Sequence, residues 1–268
     1  MKPPRLNLHT VAHRHLLGQL IQREVLVRYR GSILGIGWSF LHPLLLLAAY
    51  TLVFGGIFGG RWDAGNSGKT GLDMALFIYC GLAIFVPFSE AVVLAPKLLL
   101  ANQHFVRKVV FPLEILPLAS LVAASIHGAA HLVLLAVAAM LSGHLHATAL
   151  LIPLVLLPAW LSTLGLGWLL AAAGAYLRDI GHGMPIFMQL AMFALPVFYP
   201  SSAAPALLQS INRTNPIAIA IEDLRRILID GVPPDWSVWL AMSCLGASVA
   251  VAGHLFFSRC REEFADVL

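Results

Sequence analysis

Charge is scarce in this sequence. Only 11% of its 268 residues are Asp, Glu, Lys or Arg, against roughly 25% in soluble domains. Hydrophobic residues make up 59%, and a water-soluble globule so composed would expose large apolar patches, which soluble monomers avoid. A soluble enzyme is excluded. Cysteine is sparse as well: Cys80, Cys244 and Cys260 lie far apart, without the spacing of a disulfide framework or a zinc site. There is no Gly-x-Ser-x-Gly elbow and no intramembrane carboxylate pair, so no hydrolase active site is visible. The first 32 residues are too polar and too rich in Arg and His for a cleaved signal peptide. The chain is expected to enter the membrane through its own first span.

What is abundant is apolar sequence in long runs, and a bilayer-crossing helix needs about 20 such residues. Residues 11–30 have helical periodicity but too little hydrophobicity to span. Leu17, Leu20, Ile21 and Val25 share one face and Arg14, Gln22, Arg23 and Arg28 surround it, the pattern of an interfacial helix. Spans are expected at about 33–58, 72–95, 113–141, 150–176 and 236–257. A fifth in chain order, 184–199, is short and interrupted by Pro196. Between 200 and 236 apolar runs mix with Glu222, Asp223, Arg225 and Arg226, which reads as one or two short helices dipping into the outer leaflet. Such re-entrant backbone persists only where protein or a water-filled cavity satisfies it. The expected fold is therefore an all-α integral membrane protein with six transmembrane helices, an N-terminal amphipathic helix within residues 1–32, re-entrant helices at about 200–235 and a tail at 258–268.

The net charge of +4 and pI near 9.2 report sidedness rather than nucleic-acid binding. Twelve of the 17 basic residues (Lys2, Arg5, Arg14, Arg23, Arg28, Arg30, Lys97, Arg107, Lys108, Arg178, Arg259 and Arg261) fall on one side of this topology. Arg61, Lys69, Arg213, Arg225 and Arg226 fall on the other. Basic residues collect on the cytoplasmic side, so both termini are expected there.

Local motifs are mostly weak. Gly65-Asn66-Ser67-Gly68-Lys69-Thr70 ends like a phosphate-binding loop, but Asp63 stands where the first glycine belongs, and the segment lacks the flanking strand and helix. His127 and His131 share a helix face four residues apart, but the metalloprotease glutamate is missing. They read as neutral imidazoles lining a polar cavity or bonding across helices. Glu90 and Glu114, near inner ends of spans, are expected to face headgroups. Gly31/Gly35, Gly55/Gly59 and Gly56/Gly60 have the spacing of close helix contacts. Residues 96–112 interleave Lys97, Asn102, Gln103, His104, Arg107 and Lys108 with Leu98, Leu99, Phe105 and Val106. That pattern suits a short amphipathic helix docking on a cytoplasmic partner.

Several strings taken together resemble one family. Val27-Arg28-Tyr29-Arg30-Gly31-Ser32-Ile33-Leu34-Gly35 with Trp38 and Pro43 is similar to the start of the first span in ABC transporter permeases that export polysaccharides. Phe105-Val106-Arg107-Lys108-Val109-Val110-Phe111-Pro112, with Glu114 to Pro117, resembles their coupling helix and third span. Tyr176-Leu177-Arg178-Asp179-Ile180, then Pro185, Gln189 and Pro196-Val197-Phe198-Tyr199-Pro200, resembles their inner loop and fifth span, and Asn215-Pro216 fits the outer region.

The resemblance implies a half-transporter in the bacterial inner membrane, multi-pass, with two copies forming the channel as a homodimer. Two copies of a separate ABC ATPase would bind beneath. This chain would bind no cofactor itself, ATP and Mg belonging to that partner, and no metal or nucleic acid; it would have no catalytic residues. The cargo implied is a lipid-linked polysaccharide, O-antigen first, with capsule or teichoic acid as alternatives. By motif position, Asn102, Gln103, His104, Phe105, Arg107, Lys108, Arg178 and Asp179 would couple to the ATPase. Arg23, Arg28, Tyr29 and Arg30 would form a cytoplasmic gate helix. Trp38, Tyr50, Phe54, Phe85, Phe88, Phe193, Phe198 and Tyr199 would line the glycan path, since aromatic faces pack on sugar C–H faces. Asn215, Pro216, Glu222 and Arg225 would form a periplasmic gate. An ion-gradient-driven transporter is the rival class, and it would need mid-span charges and a repeat relating the halves. A membrane-embedded transferase would need a His/Asp or paired-carboxylate site, which is not found.

Overall fold

A computed structural model describes residues 11–29, 31–53, 71–106 and 111–267. Among these there are helices and connections and no strand. The helices are α1 (Val11–Tyr29), α2 (Trp38–Tyr50), α3 (Gly71–Leu94), α4 (Leu98–Ala101), α5 (Gln103–Val106), α6 (Ile115–Leu141), α7 (Ile152–Val155) and α8 (Leu157–Tyr176). They continue with α9 (Asp179–Ala194), α10 (Ala206–Arg213), α11 (Pro216–Arg225), α12 (Trp236–Cys260) and α13 (Phe264–Val267). Among the described residues, four stretches are long and apolar enough to cross a membrane: Asp73–Ala101, Ile115–Leu141, Ala147–Tyr176 and Trp236–Glu263.

Two expected spans are short. Helix α2 begins only at Trp38, because the chain turns at Gly31 (φ 83°) and Gly35 (φ 51°), backbone that favours glycine. Nothing lies within 4 Å of a Cβ built on either, so Gly31/Gly35 form a turn and not the helix-packing face their spacing suggested. Gly55, Gly56, Gly59 and Gly60 lie outside the described residues. Helix α9 starts at Asp179, earlier than the sequence indicated, and stops at Ala194 ahead of Pro196. Its 16 residues measure about 24 Å at 1.5 Å per residue. Residues 96–112 do not form one amphipathic helix: a 3₁₀ turn at Ala95–Lys97 leads to α4 and α5, with a break at Asn102 (φ −123°, ψ 32°).

The close helix contacts lie elsewhere. Helices α8 and α12 meet backbone to backbone, since a Cβ on Gly253 would lie 2.2 Å from the Gly165 carbonyl oxygen and one on Gly165 would lie 2.4 Å from that of Val249. Gly174 of α8 similarly admits the Pro96 backbone, and Gly128 of α6 admits the ring of Pro87 from α3. Small residues at such crossings allow the dispersion contacts that hold helices together in lipid.

Apolar packing then gathers at two ends. One cluster joins α3 to α11 and the end of α9 through Tyr79, Leu82, Val197, Ile221 and Leu224. The other joins α1, α4, α8 and α12 through Leu20, Leu99, Trp168, Phe257 and Phe264. There Leu16, Leu17 and Ile21 lie against the second cluster beside Leu20, so the apolar face of α1 is used as its periodicity indicated. Glu114 does not face headgroups. It is 5% exposed, pairs with Arg261 at 2.7 Å, and its carbonyl accepts from the Trp168 indole. Asp235 caps α12 by accepting from the Ser237 and Val238 amides, and these bonds with the Ser237 hydroxyl hold its carboxyl below the ordinary range.

Gly253→Val is expected to destabilise the protein by about 1–3 kcal/mol or more, because the clash is with backbone and cannot relax by a rotamer change. Gly183→Ala, where nothing lies within 4 Å, is the control. Thermal unfolding in detergent should separate the two, and equal melting of both variants would contradict the packing.

Candidate functional site: the coupling face and the outer knot

At one end, α1 is fastened to the segment after α3. The Arg23 guanidinium donates to Asn102 Oδ1, lies 5.8 Å over the Phe105 ring and sits 3.6 Å from Glu24. Asn102 also donates to the Leu98 carbonyl at 2.9 Å, closing the break between α4 and α5. A break needs such a side chain because the helix ladder no longer satisfies that carbonyl. Phe105 stacks on Phe111 at 4.2 Å, and the His104 ring lies tilted beside it at 4.0 Å. A charge-assisted bond plus a cation–π contact makes this a stiff joint.

Among the expected coupling residues, His104 is exposed and Gln103 half-buried, whereas Asn102 is only 2% exposed. Asn102 therefore turns inward to α1 and is not a surface contact. Arg178 and Asp179 are exposed at the start of α9. The Lys97 stem packs beside Gly181, one turn further on, so α9 adjoins the same segment. Arg30, Arg107 and Lys108 lie outside the described residues, as do the side chains of Arg28 and Tyr29.

At the other end the chain leaves α9 without helical bonding, and Arg225 supplies the missing donors. Its Nη2 donates to the Val197 carbonyl at 2.8 Å, its Nη1 to that of Tyr199 at 3.4 Å, and its Nε to that of Phe77 at 3.1 Å. The guanidinium carbon lies 3.6 Å from the Phe77 ring centroid, and the residue is 3% exposed. Glu222 pairs with it at 3.3 Å and accepts from both the amide and hydroxyl of Ser201. Asn212 and the Tyr199 hydroxyl both donate to the Ala194 carbonyl. Asn215 caps α11, accepting from the Ile217 amide, with Pro216 at the first turn. Of the four residues expected at a periplasmic gate, Glu222 and Arg225 belong to one bonded knot joining α3, α9 and α11, while Asn215 and Pro216 form the start of α11.

The expected aromatics divide. Tyr50, Phe193 and Phe198 form a chain of rings 6.1 and 5.6 Å apart, and Tyr199 bonds to the Phe193 carbonyl beside them. Trp38 is exposed near the other end of α2. Phe85 is 4% exposed inside the apolar cluster, with Phe88 against it; a residue so buried does not line a path outside its own bundle. Phe54 lies outside the described residues. His127 and His131 do line a cavity, and His131 bonds across helices to the Tyr79 hydroxyl at 3.3 Å, while His127 lies 3.6 Å from Glu90. Sequence reasoning missed Tyr79 and His42, which reach His131 only through tertiary packing. Among the described residues no group of three or more His, Cys, Asp or Glu is placed to hold a metal.

The family described as ABC-2 type transporter matches residues 15–229. The chain is 30% identical over 268 residues to the O-antigen export system permease protein RfbA of Myxococcus xanthus, covering 98% of each. It is 22% and 23% identical over 255 residues to two proteins of the same description from Klebsiella pneumoniae, covering 94% of this chain and 95% of theirs.

Replacing Arg225 tests the knot. Arg225→Met leaves the Val197, Tyr199 and Phe77 carbonyls without this donor and Glu222 without its cation, and is expected to cost about 3–5 kcal/mol. Arg225→Lys should recover little, because an ammonium lacks the planar fork. Arg213→Ala, at an exposed position, should leave thermal unfolding unchanged. An unshifted melting transition for Arg225→Met would contradict the assignment.

Proposed function

This chain belongs to the ABC-2 type transporter family as a permease of the polysaccharide-exporter type, and from that premise we propose that it is the membrane half of an ATP-driven exporter of a lipid-linked O-antigen. The observation that carries the cargo is the end-to-end similarity to a relative described as an O-antigen export permease. In this reading two copies enclose the path, each crossing the inner membrane six times. The short helices α2 and α9 are the first and fifth crossings, and both termini are cytoplasmic. Helices α10 and α11 lie in the outer leaflet at the periplasmic mouth.

The Arg23–Asn102 joint supports a mechanism for coupling. A separate ATPase, holding ATP and Mg, closes against His104, Phe105, Arg178 and Asp179. Its push on α4 and α5 passes through Asn102 to Arg23 and swings α1, the cytoplasmic gate. The path between copies widens, and the glycan moves outward past Tyr50, Phe193 and Phe198. The mid-lengths of α6, α8 and α12 carry no Asp, Glu, Lys or Arg, which weighs against an ion-driven carrier. Capsular or teichoic polymers remain the second reading of cargo for the same architecture.

Deletion of the gene in the native host should leave the glycan on its polyprenyl anchor at the cytoplasmic leaflet. A plasmid copy should restore surface display, and an Arg23→Ala copy should restore much less. Normal surface glycan without internal accumulation would overturn the polysaccharide assignment, and a different lipid anchor would move it to capsule.

A further inference from the structure

Within one protomer, a cavity of about 460 Å³ opens between the start of α2 and helices α3 and α6. It is separate from the coupling joint and from the outer knot. Its walls include Trp38 and His42 of α2, Glu90 of α3, and His127 and His131 of α6. The Trp38 indole N–H is taken up by the Ser32 hydroxyl at 2.9 Å, so the ring stands as a wall and not as a donor. His131 Nδ1 is engaged by Tyr79, which leaves Nε2 for the cavity, and the His42 ring stands edge-on to His131 at 6.4 Å between centroids. Glu90 lies 3.6 Å from His127.

This lining selects its occupant. Lipid tails offer nothing to three imidazoles and a carboxylate, which carry a high cost beside hydrocarbon. A fixed anion would meet the Glu90 carboxylate at the same wall, and among the described residues no three His, Cys, Asp or Glu are placed to hold a metal cation. A neutral polyol satisfies imidazoles and carboxylate together, accepting from or donating to the former and donating to the latter while its C–H face lies on Trp38. The volume falls in the range of small-molecule pockets, about 300–1,000 Å³, and has room for a pyranose ring.

We propose that this cavity is a sugar-binding subsite within each protomer, which holds one neutral sugar unit of the cargo to the side of the path between the two copies. The choice of a sugar rests on the export reading above. Helix α2 has Pro43 as its one buried residue, so a sugar bridging Trp38 and His42 to Glu90 and His127 would add the polar contact that packing does not supply between α2 and its neighbours.

The test uses the full-length permease in nanodiscs and saturation-transfer NMR with glucose, galactose, mannose, rhamnose and N-acetylglucosamine. At least one sugar should give a signal in the native protein, reduced about tenfold in Glu90→Gln, where a charge-assisted bond is lost, and similarly in Trp38→Ala. His254→Phe should leave it unchanged, since His254 packs on Trp168 away from the cavity. Trp38 is exposed, so its variant is expected to fold, and unchanged melting would verify this. No signal for any sugar, or equal signals in all variants, would overturn the subsite. So would inorganic phosphate shifting the histidine resonances where sugars do not. Loss of surface glycan in the deletion strain with no variant effect here would sink the subsite and leave the export reading standing. The reverse pattern would keep the cavity as a sugar site and remove the exporter.

Discussion

Every carbonyl freed by a broken helix in a membrane protein must find a donor within the protein, because the hydrocarbon supplies none. This chain breaks its helices often, and its polar side chains sit at the breaks. Pro158 has no N–H for the Leu154 carbonyl, and the Trp239 indole of α12 donates there instead at 2.9 Å. Thr148 donates to the Ile227 carbonyl of the π turn at Arg226–Asp230. Arg225 serves Val197 and Tyr199, where the chain leaves α9.

That arrangement divides the molecule into a stiff frame and joints. The backbone contact of α8 with α12, fixed by Gly165 and Gly253, offers no play. The outer knot around Arg225 holds the end of α9 and α11 to α3. The joint at Arg23 adds a guanidinium–amide bond and a cation–π contact that link α1 to α4 and α5, beside the apolar cluster that also holds α8 and α12.

Much of this was legible in the sequence, and the misses have physical causes. Helices α3, α6 and α12 begin and end close to their expected bounds because long apolar runs leave few alternatives. The late start of α2 was hidden because Gly31 and Gly35 show the spacing of a helix contact, and only backbone dihedrals reveal a turn. The early start of α9 was hidden because Asp179, Gly181 and His182 read as loop. Glu114 was misjudged because its partner Arg261 lies 147 residues away. The polar character of His127 and His131 was visible from their helix face, but His42 and Tyr79 join them from other helices, and one sequence does not show that.

The central claim is that this chain moves a lipid-linked glycan only when a separate ATPase drives it. The direct measurement is reconstitution of the permease with that ATPase in proteoliposomes loaded with lipid-linked glycan. Arrival of glycan at the opposite face is then read with an impermeant lectin. The account predicts arrival only with both subunits and Mg-ATP on the ATPase side, unaffected by ionophores. Arrival without ATP that collapses when ion gradients are dissipated would contradict it.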